Sequence, residues 1–357
     1  MGRAAGSSKA AGPPVYSGFA GRVAAVSLRS LAWTLVILVT YLPVTASETP
    51  AAASFDEGIR LFEAGKRADA RTFFTAAGSA HPQSPVPPYW LGRLAFDDDD
   101  METAIESFAR AVELEDGSSN YHLWLGRAYG RKAQRASVLK QPFLAKKVHA
   151  QFERAVELDG ANLEARSDLI SYYLMAPGMM GGSVEKARAQ AGAIAAHDAF
   201  QGHLAHARVY EHEKQDDLFE RELLAASAAK PAEVNPRFQL GFLYQRLERW
   251  DDAFRTFEEL TKTDKVRRNA LYQIGRTGAL SGRNLARAAE CLESYLAGAP
   301  APGEPPATAA HYRLAQVYEK LGRVPQARAE LEATLRLDPK HAEAKKALEK
   351  LNGSGRG

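Results

Sequence analysis

Beyond residue 50, apolar positions recur at spacings of three and four, and alternating runs of β-branched residues are scarce. That period gathers apolar side chains on one face of a helix, so the chain reads as a succession of amphipathic helices with little strand. The pattern also copies itself. WLGRLAF (90–96), WLGRAYG (124–130) and QLGFLYQ (239–245) carry a glycine at the same place. Gly58, Gly92 and Gly126 lie 34 residues apart, as do Gly241 and Gly275. A second landmark follows: ADARTFFTAA (68–77), ETAIESFARAVELED (102–116), DDAFRTFEEL (251–260) and PQARAELEATLRLDP (325–339). A fixed period in this range is the mark of a stacked repeat array.

These residues resemble the tetratricopeptide repeat, a unit of two antiparallel helices. Its pattern of small, aromatic and large apolar positions is met in the last unit by Leu314, Ala315, Tyr318, Gly322, Ala327, Leu331, Thr334 and Pro339. The sixth unit supplies Leu240, Gly241, Tyr244, Ala253, Phe257 and Leu260. Small residues let the paired helices approach, the large one fills the gap between them, and a proline stops the second helix. The resemblance implies an all-α fold, an α-solenoid winding as a right-handed superhelix. Eight units then start near residues 51, 85, 119, 163, 200, 234, 268 and 308, within an array spanning 53–341. Residues 342–357, with HAEAKKALEKL (341–351), read as the capping helix that covers the last apolar face, followed by a disordered tail.

Three stretches break the period. GRKAQRASVLKQPFLAKK (130–147) reads as a basic loop of about ten extra residues in unit three. MAPGMMGGS (175–183) is an enlarged turn in unit four, and AGAPAPGEPPA (297–307) is a stiff exposed linker. The glycines of MAPGMMGGS invite a phosphate-cradle reading, but no strand precedes them and neither nucleotide fingerprint is matched. Pro177 and Gly178 suit a helix stop, Gly181 and Gly182 permit positive φ, and Ser183 can cap the next helix. Exposed Met179 and Met180 suggest a contact with a neighbouring repeat or a partner.

The first 46 residues differ in kind. Arg3, Lys9, Arg22 and Arg29 precede LAWTLVILVTYLPV (31–44), an uncharged run, and Val44 and Ala46 suit a signal-peptidase site. The segment reads as a signal peptide, with an inner-membrane anchor over 31–44 as the alternative, and 47–52 as a linker. An exported protein, periplasmic or secreted and of bacterial type, is the matching expectation. These four cations exceed the whole formal charge of +3, so the remainder is near neutral and offers no global argument for nucleic-acid binding. The one cysteine, Cys291, excludes an intrachain disulfide and reads as a small core residue.

Candidate chemistry is sparse. His203 and His206 share a helix face, whereas His212 lies off it and no HExxH occurs, so a polar helix surface is the simpler reading than a metal site. The run Asp97–Asp100 suits the positive end of the following helix. No cofactor, catalytic group or small-molecule substrate is expected. The resemblance implies that the first helix of each unit lines the inner surface of the superhelix. Its inward positions hold Tyr89, Trp90, Arg93, Leu123, Trp124, Arg127, Arg208, Phe238, Tyr272, Arg276 and Tyr312. Aromatics with recurring arginines suit a peptide or protein segment. The expected function is a non-catalytic interaction scaffold. The alternative is an accessory subunit of an envelope or secretion complex that docks an anionic partner through residues 131–147.

Overall fold

A computed structural model describes residues 54–353; the signal-like segment, the linker at 47–52 and residues 354–357 lie outside them. Among the described residues seventeen α-helices follow one another without a strand. They pair as eight hairpins. The first four are α1 Asp56–Glu63 with α2 Arg67–Ala80, α3 Val86–Asp97 with α4 Met101–Leu114, α5 Ser119–Arg135 with α6 Gln141–Leu158, and α7 Leu163–Met175 with α8 Val184–His197. The other four are α9 Ala199–His212 with α10 Asp216–Ala229, α11 Asn235–Arg246 with α12 Trp250–Leu260, α13 Arg267–Ser281 with α14 Leu285–Leu296, and α15 Ala307–Lys320 with α16 Val324–Leu337. A last helix, α17 Ala342–Gly353, lays Ala344 and Leu351 on α16. Asn352 and Gly353 thus belong to the capping helix and not to a disordered tail.

Each helix packs on the next along the chain, and several odd-numbered helices also touch each other. The core is therefore a string of local clusters in an α-solenoid: one around Phe74 and Leu94, another around Phe108 and Leu125, and three longer ones centred on Leu169, Phe257 and Leu314. Side-chain caps fix several helix starts. Asp100, Asn162, Ser183 and Asp198 each accept the amide N–H three residues on.

Within a hairpin the decisive contact joins a glycine on the first helix to a large side chain on the second. A Cβ added to Gly92 would come within 2.7 Å of the Phe108 ring, and one on Gly126 within 2.6 Å of Phe152. Gly58, Gly241 and Gly275 stand in the same relation to Phe74, Phe257 and Leu292. Unit four exchanges the sizes: Ile170 occupies the first-helix place and Ala191 the second, both fully buried. Between hairpins, a tyrosine hydroxyl donates to a glutamate of the preceding unit. Tyr173 reaches Glu153 at 3.1 Å, Tyr244 reaches Glu220 at 2.7 Å and Tyr318 reaches Glu293 at 2.5 Å.

The turns inside six of the hairpins share a left-handed residue. Gly65, Asp99, Lys214, Glu248, Gly282 and Gly322 have φ of 72°, 67°, 57°, 56°, 74° and 72°. Unit three departs from this. The extra residues lengthen both helices, to 17 and 18 residues, and leave only 136–140 as a turn. The expected basic loop over 131–147 is therefore mostly helix: α5 runs on to Arg135, and Ala145, Val148 and Phe152 carry the apolar stripe of α6 back towards its start at Gln141. In MAPGMMGGS, a single 3₁₀ turn at Gly178–Met180 leads to Gly181 with φ 90°. Gly182 has no positive φ; its need for glycine is spatial, since a Cβ would collide with the Ala176 carbonyl. The linker before α15 is strapped down as well as exposed. The Tyr295 hydroxyl donates to the Pro305 carbonyl, and Arg268 bridges Glu304 at 3.3 Å and the Gly298 carbonyl at 3.1 Å.

This packing makes four stability predictions. Gly241→Ala should cost about 1–3 kcal/mol by overpacking Phe257, and Gly241→Ala with Phe257→Leu should cost less than the two single changes added. Gly192→Ala, where the new methyl meets nothing within 4 Å, should instead stabilise by about 0.5–1 kcal/mol; urea midpoints report both. Lys214→Gly and Glu248→Gly should each raise stability by roughly 0.5–1 kcal/mol through relief of left-handed backbone, seen as an upward shift in denaturant midpoint. Burial, then the bonds to Glu220 and Glu293, push the Tyr244 and Tyr318 hydroxyls up to about 12. Their folded values exceed the unfolded value of about 10. Their contribution is therefore complete below pH 10 and lost as pH rises to 12. Tyr244→Phe/Tyr318→Phe should lose less stability across that window than the parent chain.

Candidate functional site

The face formed by the odd-numbered helices carries the clearest cluster of chemistry. Position follows from the repeat: residues three to four apart on α3 and α5 point the same way, and each helix lies beside the next odd one. Arg93 on α3 sits among four rings. Its guanidinium carbon is 3.7 Å from the Trp124 ring centroid, 5.3 Å from Phe62, 5.5 Å from Trp90 and 5.9 Å from Tyr89. The Tyr89 hydroxyl accepts from Arg93 at 3.2 Å. Among the described residues no carboxylate pairs with Arg93, and its Nε is buried without a hydrogen-bond partner. The cage thus holds the cation by ring quadrupoles and one neutral hydroxyl, which leaves its charge without a matching anion.

Arg127, one unit on, is different. It lies 4.7 Å above Trp124 but donates to Asp168 at 2.5 Å and Glu164 at 3.0 Å, so its charge is already matched. Arg208 on α9 donates to the Ser167 carbonyl and to the Ser167 and Ser171 hydroxyls at 2.9–3.3 Å. Arg276 on α13 donates to Gln245, whose own amide N–H₂ donates to Thr277 at 2.7 Å. Burial, with the like charge of Arg313 behind it, lowers the Arg276 pKa. Neither Arg208 nor Arg276 has a carboxylate partner among the described residues.

Two cavities open on this face. One of about 600 Å³ lies among α3, α5, α6 and α7, with Phe96, Val148, Phe152, Tyr172 and Met175 for its apolar lining and Arg127, Arg131 and Asp168 for its polar lining. A second, of about 480 Å³, lies between α13 and α15 beside Arg313 and Lys320.

Of the sequence-predicted groove residues, Tyr89, Trp90, Arg93, Trp124 and Arg127 converge. Arg208, Arg276 and Tyr312 share the same helices' face further along, half-buried or exposed. Phe238 and Tyr272 do not serve: they are 8 % and 7 % exposed and pack in the core, as does Leu123 at 1 %. Phe238 meets Phe257, and Tyr272 meets Tyr295, across their hairpins. Sequence reasoning passed over Phe62, Asp168 and Arg313. Phe62 stands one turn from the unit-one position equivalent to Arg93, and that register is the signal that could have found it.

The other candidates settle into structure. His203 pairs with Glu222 at 2.8 Å, while burial lowers the pKa of His206, which stacks on Tyr210. No three His, Cys, Asp or Glu among the described residues come together in a metal-holding group. Asp97 and Asp98 bind Arg67 and Arg71, and Asp99 binds Arg135 at 2.6 Å, so one acidic turn ties units one, two and three. Cys291 is 1 % exposed and burial pushes its thiol up to about 12.

Two tetratricopeptide-repeat family models match the chain, over residues 55–121 and 279–351, at its first and last described units. The chain is a tetratricopeptide-repeat protein. Arrays of this family are in general non-catalytic scaffolds for protein–protein interaction. No curated protein matches its sequence. Similar solved structures include a thermophilic tetratricopeptide-repeat protein of Thermus thermophilus, at 19 % identity over 52 % of this chain and 93 % of that one, TM-score 0.43. A tetratricopeptide-repeat protein of Parabacteroides merdae aligns at 14 % identity over 75 % and 99 %, TM-score 0.47. The tetratricopeptide-repeat domain of P58(IPK) aligns at 14 % identity over 83 % and 96 %, TM-score 0.30.

Proposed function

We propose that the odd-helix face of this scaffold holds an extended or helical protein segment, with an acidic group of that segment at Arg93. The observation that carries the reading is the aromatic cage. Four rings hold a guanidinium that meets no carboxylate, beside an apolar cavity able to take a side chain. A carboxylate there would gain a charge-assisted bond in a partly dry setting, and the flanking apolar side chain would gain burial. Arg208 and Arg276 extend the same unmatched charge along the face, which favours a segment with several acidic residues. Arg127 contributes little, because Asp168 already holds it. We also propose export, on the basic lead and apolar run of residues 1–46.

The test is selection of binding peptides on the full chain, followed by fluorescence anisotropy with the selected sequences. Arg93→Ala should weaken binding tenfold or more, and Asp or Glu changed to Asn or Gln in the peptide should weaken the parent but not the variant. Arg127→Ala should have a small effect. Equal affinities for the parent and Arg93→Ala would sink the reading.

A further inference from the structure

The large apolar side chains that the described residues leave most open to solvent gather at one end of units three and four. Val138, Leu139 and Phe143 are exposed by 79, 84 and 76 %, and Met175 and Met179 by 77 and 92 %. The first three form the tip of the α5–α6 hairpin, and the methionines belong to the α7–α8 turn. Both turns border the larger cavity: Gln134 and Gln141 line it from one, Met175 and Pro177 from the other. The tip also projects, because α5 and α6 have 17 and 18 residues where their neighbours α4 and α7 have 14 and 13.

Charge at the tip has one sign. No Asp or Glu occurs between Asp116 and Glu153. Arg131, Lys132 and Arg135, nearer the body, are held by Asp99 and Glu102 of unit two. Lys140, Lys146 and Lys147 are exposed and meet no carboxylate among the described residues; Lys147 lies 5.0 Å above the Tyr129 ring. Val138, Leu139 and Phe143 stand outside the larger cavity, and with lysines that no carboxylate holds they form an apolar and cationic tip. It matches the boundary of a bilayer, where apolar groups enter the acyl region and ammonium groups meet the headgroups.

We propose that the α5–α6 tip docks on an anionic lipid surface, with Val138, Leu139 and Phe143 inserted and Lys140, Lys146 and Lys147 on the headgroups. The contact is peripheral and reversible, as three lysines and a few inserted side chains provide. It involves residues other than the Arg93 cage, so it stands or falls apart from the peptide-binding reading.

The test uses the full chain with Leu139→Cys carrying an environment-sensitive nitrobenzoxadiazole label. Cys291 is buried with its thiol pushed up to about 12, so the label goes to position 139. Leu337→Cys, exposed by 56 % at the parent leucine in another unit, is the labelled control. With phosphatidylcholine vesicles containing about one-third phosphatidylglycerol, emission at 139 should brighten and shift to the blue. It should stay unchanged at 337, and at both sites with neutral vesicles in moderate salt. Lys140→Gln/Lys146→Gln/Lys147→Gln should lower the vesicle partition read by the 139 label on the order of a hundredfold. Arg93→Ala should leave the 139 response intact. A silent label at 139 with anionic vesicles would overturn the proposal. So would a response to poly-glutamate but not to vesicles, which would make the tip a dock for acidic protein.

Discussion

The close approach of two helices at a glycine is the constraint on which the rest of the array depends. In five of the eight hairpins a first-helix glycine lies under a large side chain of the second helix, so near that a single methyl would not fit. A hairpin buries only part of its apolar surface within itself and must cover the remaining face on its neighbour. The distance between its helices therefore sets where the next hairpin can sit, and with it the tyrosine–glutamate bonds that join unit to unit. Unit four shows that the constraint is on summed volume rather than on glycine as such. Ile170 and Ala191 carry the large and small roles in reverse, and both are fully buried.

Beyond that contact the hairpins are free to vary in length. In unit three the Gly126–Phe152 pair survives about ten added residues, because all of them fall on the far side of it, between the two helices. The added chain prolongs both helices into a projecting tip, and the α7–α8 turn grows at the same end. Asp99 of the α3–α4 turn holds the base of the tip through Arg131 and Arg135. Elaboration thus collects where packing leaves it room, on the turns.

This division also explains what the sequence disclosed. The helical class and the repeat were legible because several glycines recur 34 residues apart, and after Gly58, Gly92 and Gly241 a phenylalanine follows at the same interval. The turn reading of MAPGMMGGS was legible from glycine and proline chemistry, and Ser183 does cap α8. Side-chain direction was less so. Adjacent positions of a helix differ by about 100°, so Phe238 and Tyr272, assigned inward from a family register, turn instead into the core. GRKAQRASVLKQPFLAKK reads as a loop by its charge, but α5 runs through Arg135 and α6 starts at Gln141, so the two helices together cover most of it. Arg127 finds Asp168 across 41 residues, a pairing no local pattern announces.

The arginines of the odd-helix face make the general point. Arg93, Arg127, Arg208 and Arg276 hold comparable places in their units, yet each meets a different group on the neighbouring odd helix: a tryptophan ring, two carboxylates, two serines and a glutamine. The repeat supplies a cation at regular intervals, and the neighbour decides whether that cation meets a carboxylate inside the array or not. Acidic side chains on α7 quench the one beside them, and the aromatic cage of units one to three preserves the one before it. Charge along the face is therefore a property of pairs of units, which is why it cannot be read from any single repeat.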